Sequence, residues 1–222
     1  MQDIRIDNTE LTSILSLARL SSYKNKTETI DELLAKYAYN IKVSEAFYPV
    51  LALFEIVLRN KICSAIEKLI KPNWLMAELE KQTILRNEEY LKLIEAKEHL
   101  IKNNKKITND RLIAEMTFGF WVYLFTKAYK PRLWDKKHFF ETVFPNYKTN
   151  KELVNLTLLQ DDLRTILRLR NRIFHHEIIT NGRITPMQNY QIILNLIHLM
   201  SDDAVKYLNQ ISRFEAIISQ KP

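Results

Sequence analysis

The stretch Ser44-Glu-Ala-Phe-Tyr-Pro-Val-Leu-Ala-Leu-Phe-Glu-Ile-Val-Leu-Arg-Asn-Lys-Ile-Cys-Ser-Ala-Ile-Glu-Lys-Leu-Ile70 decides the fold class. Val50, Phe54, Val57, Leu58, Ile62, Ala65 and Leu69 recur at three- and four-residue intervals, the spacing of one helix face rather than of a strand. The reading is a long helix from about Ser44 or Tyr48 to Ile70, with Pro49 in its first turn or kinking it there. Lys71-Pro-Asn73 then stops it.

Outward from this segment the same period recurs. Residues 8–21 and 29–42 read as two shorter helices, 82–102 as a strongly charged one, and 109–129 as one carrying the aromatic run Phe118-Gly-Phe-Trp-Val-Tyr-Leu-Phe125. Lys102-Asn-Asn-Lys-Lys106 reads as an exposed turn, and 130–150 as a less regular region with one or two short helices. Two strong helices follow, from about Asn150 to Phe174 and from Thr185, joined through the turn Thr180-Asn-Gly-Arg183. Thr185-Pro-Met-Gln188 combines a Thr cap, Pro at the first helical position and Gln where a capping box needs it. Ser201-Asp-Asp203 breaks or re-caps that helix before 204–218.

Composition agrees. Of 222 residues only two are glycine, Gly119 and Gly182, which excludes the glycine-rich phosphate loops and the turn glycines of a many-stranded β protein. One cysteine, Cys63, excludes a disulfide framework and a Cys-rich zinc site. With 33 Lys and Arg against 26 Asp and Glu, the net charge of +7 favours polyanionic partners. Met1-Gln-Asp-Ile-Arg-Ile-Asp7 has no basic and apolar leader pattern, and no apolar run approaches the ~20 residues that span a bilayer, so a cytoplasmic chain with no membrane partner is expected. The expected architecture is a single all-α domain over 1–222, with 72–150 a helical elaboration between the two core helical segments.

Chemistry concentrates in Arg170-Asn-Arg-Ile-Phe-His-His-Glu177. Asn171 and His175 share a helix face, whereas Arg170 and His175 are about 140° apart at 100° per residue, so they converge only on a large ligand or through a second copy of the helix. The set suits metal-independent RNA cleavage: imidazole takes and returns protons, and guanidinium holds the phosphorane in bidentate fashion. The bland alternative is that basic residues and histidines simply favour a helix C-terminus. The adjacent histidines do not share a face as metal ligands would, and no metal or cofactor is expected.

Other features carry paired readings. Glu55 and Arg59 stand four apart, either as a buried strut or with Arg59 and Asn60 lining a cleft opposite Arg170. Arg164, Arg168 and Arg172 stack at four-residue intervals, as a solvated face or an RNA track beside the motif. The aromatic run around Trp121 reads as core more readily than as a base-stacking platform. His99, His138 and His198 are read as structural.

Leu167-Arg-Leu-Arg-Asn-Arg-Ile-Phe-His-His-Glu177 resembles the signature of the Abi-like branch of the HEPN superfamily, whose members resemble the abortive-infection proteins AbiD and AbiF. The motif of Arg, a polar residue, a short spacer and His falls on Arg170, Asn171 and His175, with His176-Glu177 matching the Abi-like extension. Ser44 to Asn60 resembles the family's first long helix. Phe118 to Phe125, Arg132-Leu-Trp134 and Phe144-Pro-Asn146 resemble its middle region. The resemblance, spanning about 40–200, implies a HEPN-like bundle acting as an endoribonuclease toxin or effector in antiphage defence. On this resemblance Arg170, Asn171 and His175 would be catalytic; with the residue readings above, His176, Glu177 and Glu55 would support them, and Arg59, Asn60, Arg164, Arg168 and Arg172 would contact RNA. It further implies a homodimer with a composite active site and an RNA or protein antitoxin. Glu177 stands where the toxin branch paired with nucleotidyltransferases usually has Tyr, and Ile178 where Pro often follows. The alternative is a non-catalytic protein holding structured RNA in a basic cleft; a third is a helical interaction protein without RNA.

Overall fold

A computed structural model describes residues 8–23, 29–150 and 156–221, and among these the chain is helical with no strand. Two short helices, α1 (Asn8–Leu15) and α2 (Leu17–Ser21), replace the single one expected over 8–21, the break falling at Ser16 with φ 64°. Next comes α3 (Ile30–Leu69), 40 residues and about 60 Å long at 1.5 Å per residue. It opens on a full capping box between Thr29 and Glu32.

The two helices expected over 29–42 and from 44 or 48 to 70 are therefore one, and Pro49 lies inside it. Proline removes one backbone hydrogen bond there. The flanking side chains hold the helix together: Val43, Phe47, Val50 and Phe54 are all fully buried in the main core.

Beyond Lys71-Pro-Asn73 a short helix that sequence spacing missed, α4 (Trp74–Glu80), buries Trp74 and Leu75. The charged helix α5 (Asn87–Lys102) starts later than residue 82, because 82–86 is a loop bound by Glu78. That buried carboxylate accepts the N–H groups of Thr83, Ile84 and Leu85 at 2.9–3.1 Å. The Lys102–Lys106 segment is the exposed turn expected, with Asn104 at φ 52°.

The helix expected over 109–129 divides into α6 (Asn109–Glu115) and α7 (Phe118–Tyr123), then a 3-10 turn and a π turn up to Trp134. Phe118, Trp121, Val122 and Phe125 are buried, so the aromatic run is core. After α8 (Phe139–Val143) and a 3-10 turn at Pro145–Asn150 comes α9 (Leu156–Phe174). The portion of this helix expected before Leu156, including Leu153, lies outside the described residues.

Thr185 and Gln188 form the expected capping box, starting α10 (Pro186–Met200). Ser201 ends α10 and caps α11 (Asp202–Ile211), and α12 (Phe214–Ile218) follows. His99 and His198 pair with Glu115 (2.8 Å) and Asp202 (2.6 Å). Helix α3 is the axis, packed by α7, α8, α10, α11 and α12, while α9 lies on α7 and α10. One cluster of buried apolar side chains runs from Tyr39 to Phe214, so the 72–150 segment shares the core of the flanking helices.

Candidate functional site

Helix α9 is amphipathic: Leu159, Leu163, Ile166 and Leu169 are buried, and Arg164 and Arg168 stand exposed. Its end sets the motif's geometry. His176 N–H donates to Ile173 O (3.0 Å) and Glu177 N–H to Arg172 O (2.8 Å), the paired bonds of a Schellman cap. His176 occupies the left-handed position at φ 56°, where glycine is usual and histidine is among the tolerated exceptions.

Three side chains hold this turn, two of them distant in sequence. Asn40, 3% exposed on α3, donates to Glu177 O (3.2 Å) and accepts from the N–H groups of Ile179 (2.8 Å) and Thr180 (3.3 Å). Arg19 donates to His176 O at 2.5 Å. Arg172 donates to Ile178 O and lies 3.4 Å from the Glu177 carboxylate. Sequence reasoning missed Asn40, since its partners lie about 140 residues away.

Between this turn and α3 lies an apolar cleft of about 700 Å³. Ile41, Tyr48, Ile56 and Phe174 line it, and each is 45% or more exposed, an unusual run of large apolar side chains on one surface. The charged groups inside are Arg170, Glu55, Arg59 and Glu45, the last paired with Arg213 at 2.9 Å. The Arg170 guanidinium sits 4.3 Å from the Phe174 ring, and its buried Nε has no hydrogen-bond partner.

Burial pushes the Glu55 carboxyl above its ordinary value, and the positive charges of Arg170 and Arg59 partly oppose this. Glu55 and Arg59 do not close the contact ion pair of the strut reading; Arg59 Nε donates instead to Asn60 Oδ1 at 3.3 Å. Both nevertheless line the cleft with Arg170, and Asn60 lies exposed beside it.

The motif is divided by this geometry. Arg170 and His176 line the cleft; Asn171 and His175 are exposed and do not. The arginine stripe is divided too. Arg164 lines a second cleft, while Arg168 and Arg172 flank the 179–184 loop, where Arg172 is occupied in holding the turn. Among the described residues no group of three or more His, Cys, Asp or Glu side chains is placed to hold a metal ion, and no helix is long and apolar enough to cross a membrane. Burial pushes the Cys63 thiol up to about 12, which leaves it an inert core residue.

No protein-family model matches the chain, and no curated protein or solved structure matches it.

Proposed function

We propose that the protein is a metal-independent endoribonuclease of the HEPN type, acting in the cytoplasm as a toxin or effector of antiphage defence. The observation that carries this reading is Arg170: a guanidinium in a cleft, its buried Nε without a partner, with His176 of a firmly held turn lining the same cleft. An unsatisfied buried donor is costly, and a phosphate oxygen satisfies it with a charge-assisted bond.

In the proposed reaction a neutral imidazole takes the proton of the ribose 2′-hydroxyl, whose oxygen attacks phosphorus. The bond to the 5′-oxygen breaks, and an imidazolium returns a proton to that leaving group. The products are a 2′,3′-cyclic phosphate and a 5′-hydroxyl. Arg170 stabilises the phosphorane, His175 carries protons, and Asn171, on the same helix face, orients His175 or the scissile group. His176 faces the held phosphate, and Glu55 sets how much of the Arg170 charge is free for it. Arg59, Asn60, Arg164 and Arg168 add phosphate contacts.

Because His175 stands outside the cleft that Arg170 lines, this reading requires a homodimer in which His175 of one protomer meets Arg170 of the other. The exposed apolar wall of Ile41, Tyr48, Ile56 and Phe174 supports such a contact at this place. The toxin role and an RNA or protein antitoxin rest on the resemblance of the motif alone.

The same separation of Arg170 from His175 within one chain favours a second reading, a non-catalytic RNA-binding protein. End-labelled RNA separates the two. Cleavage in EDTA that leaves cyclic phosphate ends, and vanishes in folded Arg170→Ala and His175→Ala, is the outcome expected. RNA binding by all three proteins without cutting would favour the second reading.

A further inference from the structure

On another flank of α9 lies a larger cleft, about 1160 Å³, between the start of α5, the 3-10 turn after α7, and α9. Its lining is mainly polar and differs from the motif cleft in every group that matters. Gln160 is 7% exposed, lines this cleft, and has no hydrogen-bond partner among the described residues. The residue is otherwise enclosed, so its amide opens onto the cleft with no protein group competing for it, and can donate to a ligand there.

Around it stand the cations Arg86, Lys127 and Arg164, exposed and unpaired among the described residues. Arg132 adds a fourth charge, though its guanidinium also donates to the carbonyls of Ile84 (2.9 Å) and Leu85 (3.2 Å). The 16-residue α5 begins here with no side chain capping its N-terminus. Of the two carboxylates present, buried Glu89 accepts from Tyr129 Oη at 2.6 Å and has Lys92 at 3.9 Å, leaving Glu88 as the one opposing charge.

We propose that this cleft is a binding site for a linked polyphosphate, bare or carried by a nucleoside. Guanidinium groups fork onto phosphate oxygens, the helix N-terminus favours the same charge, and the Gln160 amide donates to a bridging or terminal oxygen. Three unpaired cations and one partly engaged, against one free carboxylate, match the charge of two or three phosphates and exceed that of one diester. The site does not rest on the RNA-cleavage reading, since Arg170 and His176 line the other cleft; Arg164 is the one residue that both readings use.

The test is calorimetric titration of inorganic pyrophosphate, ADP and a short RNA lacking terminal phosphates into the wild type and variants at one ionic strength. Pyrophosphate and ADP are expected to bind the wild type. Arg164→Gln weakens both at least about tenfold, the loss of one charged hydrogen-bonding group. Glu88→Gln tightens both, and Arg170→Ala changes neither. Tighter binding of ADP identifies a nucleoside polyphosphate, and equal binding the bare chain. Gln160→Leu adds a second sign: it weakens pyrophosphate binding as Arg164→Gln does, while an unchanged melting temperature of the ligand-free protein shows that the fold is kept. Pyrophosphate affinity that is indifferent to Arg164 and Gln160, RNA binding through Arg164 without pyrophosphate binding, or no binding at all would each overturn the proposal.

Discussion

Two clefts flank α9, and their walls oppose each other in character. The motif cleft is apolar, with large exposed side chains around an arginine whose buried Nε lacks a hydrogen-bond partner, whereas the second is polar, with several cations around the Gln160 amide. Gln160 and Arg170 are ten residues apart, about 15 Å along the axis and about 80° around it. One helix thus serves two surfaces of different chemistry. The apolar wall suits a protein surface that brings a reacting group with it, and the cationic wall suits a small, highly charged ligand that needs none. A polar group without a protein hydrogen-bond partner marks each place, the buried Arg170 Nε in one and the Gln160 amide on the wall of the other, and its surroundings say what kind of partner fits.

The largest expected effect breaks the comparison on the motif side. Removing proton transfer with His175→Ala, or phosphate stabilisation with Arg170→Ala, lowers cleavage by about 10²–10⁴-fold, read from initial rates on end-labelled RNA. The same variants leave pyrophosphate affinity at the polar cleft unchanged.

Next is Asn40→Ala. It strands the Glu177 carbonyl and the Ile179 and Thr180 N–H groups, and is expected to cost about 2–4 kcal/mol in denaturant unfolding. It also loosens the turn that aims both histidines, so cleavage falls with stability, while an equally destabilising change far from the turn leaves the rate of the folded fraction intact.

A smaller effect of opposite sign belongs to His176→Gly. Glycine at φ 56° removes the left-handed strain, for a gain of up to about 1 kcal/mol in unfolding free energy. If activity falls while stability rises, His176 contributes to the cleft chemically rather than as a cap.

The smallest concerns Glu55. Its carboxyl titrates above the ordinary value because burial disfavours its charge. The folded state therefore holds the proton more tightly than the unfolded one. Its contribution is fully present below the unfolded pKa and is lost as pH rises through the folded value. Stability measured against pH just above 4.5 should decline less in Glu55→Gln than in the wild type, and an identical slope would place Glu55 in solvent.

How much of this was legible in the sequence varies with the range of the interactions. Local signals served well: Thr185 and Gln188 cap α10 as their spacing requires, and Phe118, Trp121, Val122 and Phe125 are core as their period implies. The split between the helices over 29–42 and 44–70 was wrong: Pro49 sits inside one continuous helix, where the one lost hydrogen bond is outweighed by the packing of Phe47, Val50 and Phe54 on either side. Of the candidate site, Arg170, Glu55, Arg59 and His176 do meet, while His175 and Asn171 face away, as their helical angles already implied. Asn40 and Gln160 were invisible: the first acts on residues some 140 positions away, and the second matters only through a cavity that the fold creates.

The most direct measurement mixes two inactive proteins. Arg170→Ala and His175→Ala are unfolded together, refolded to exchange protomers, and assayed on RNA in EDTA beside the wild type. A site shared between protomers is intact once in each mixed dimer, which restores about a quarter of wild-type cleavage on random pairing. A mixture that stays inactive while the wild type cuts would contradict the composite site, and a wild type that binds RNA without cutting it would contradict the nuclease reading itself.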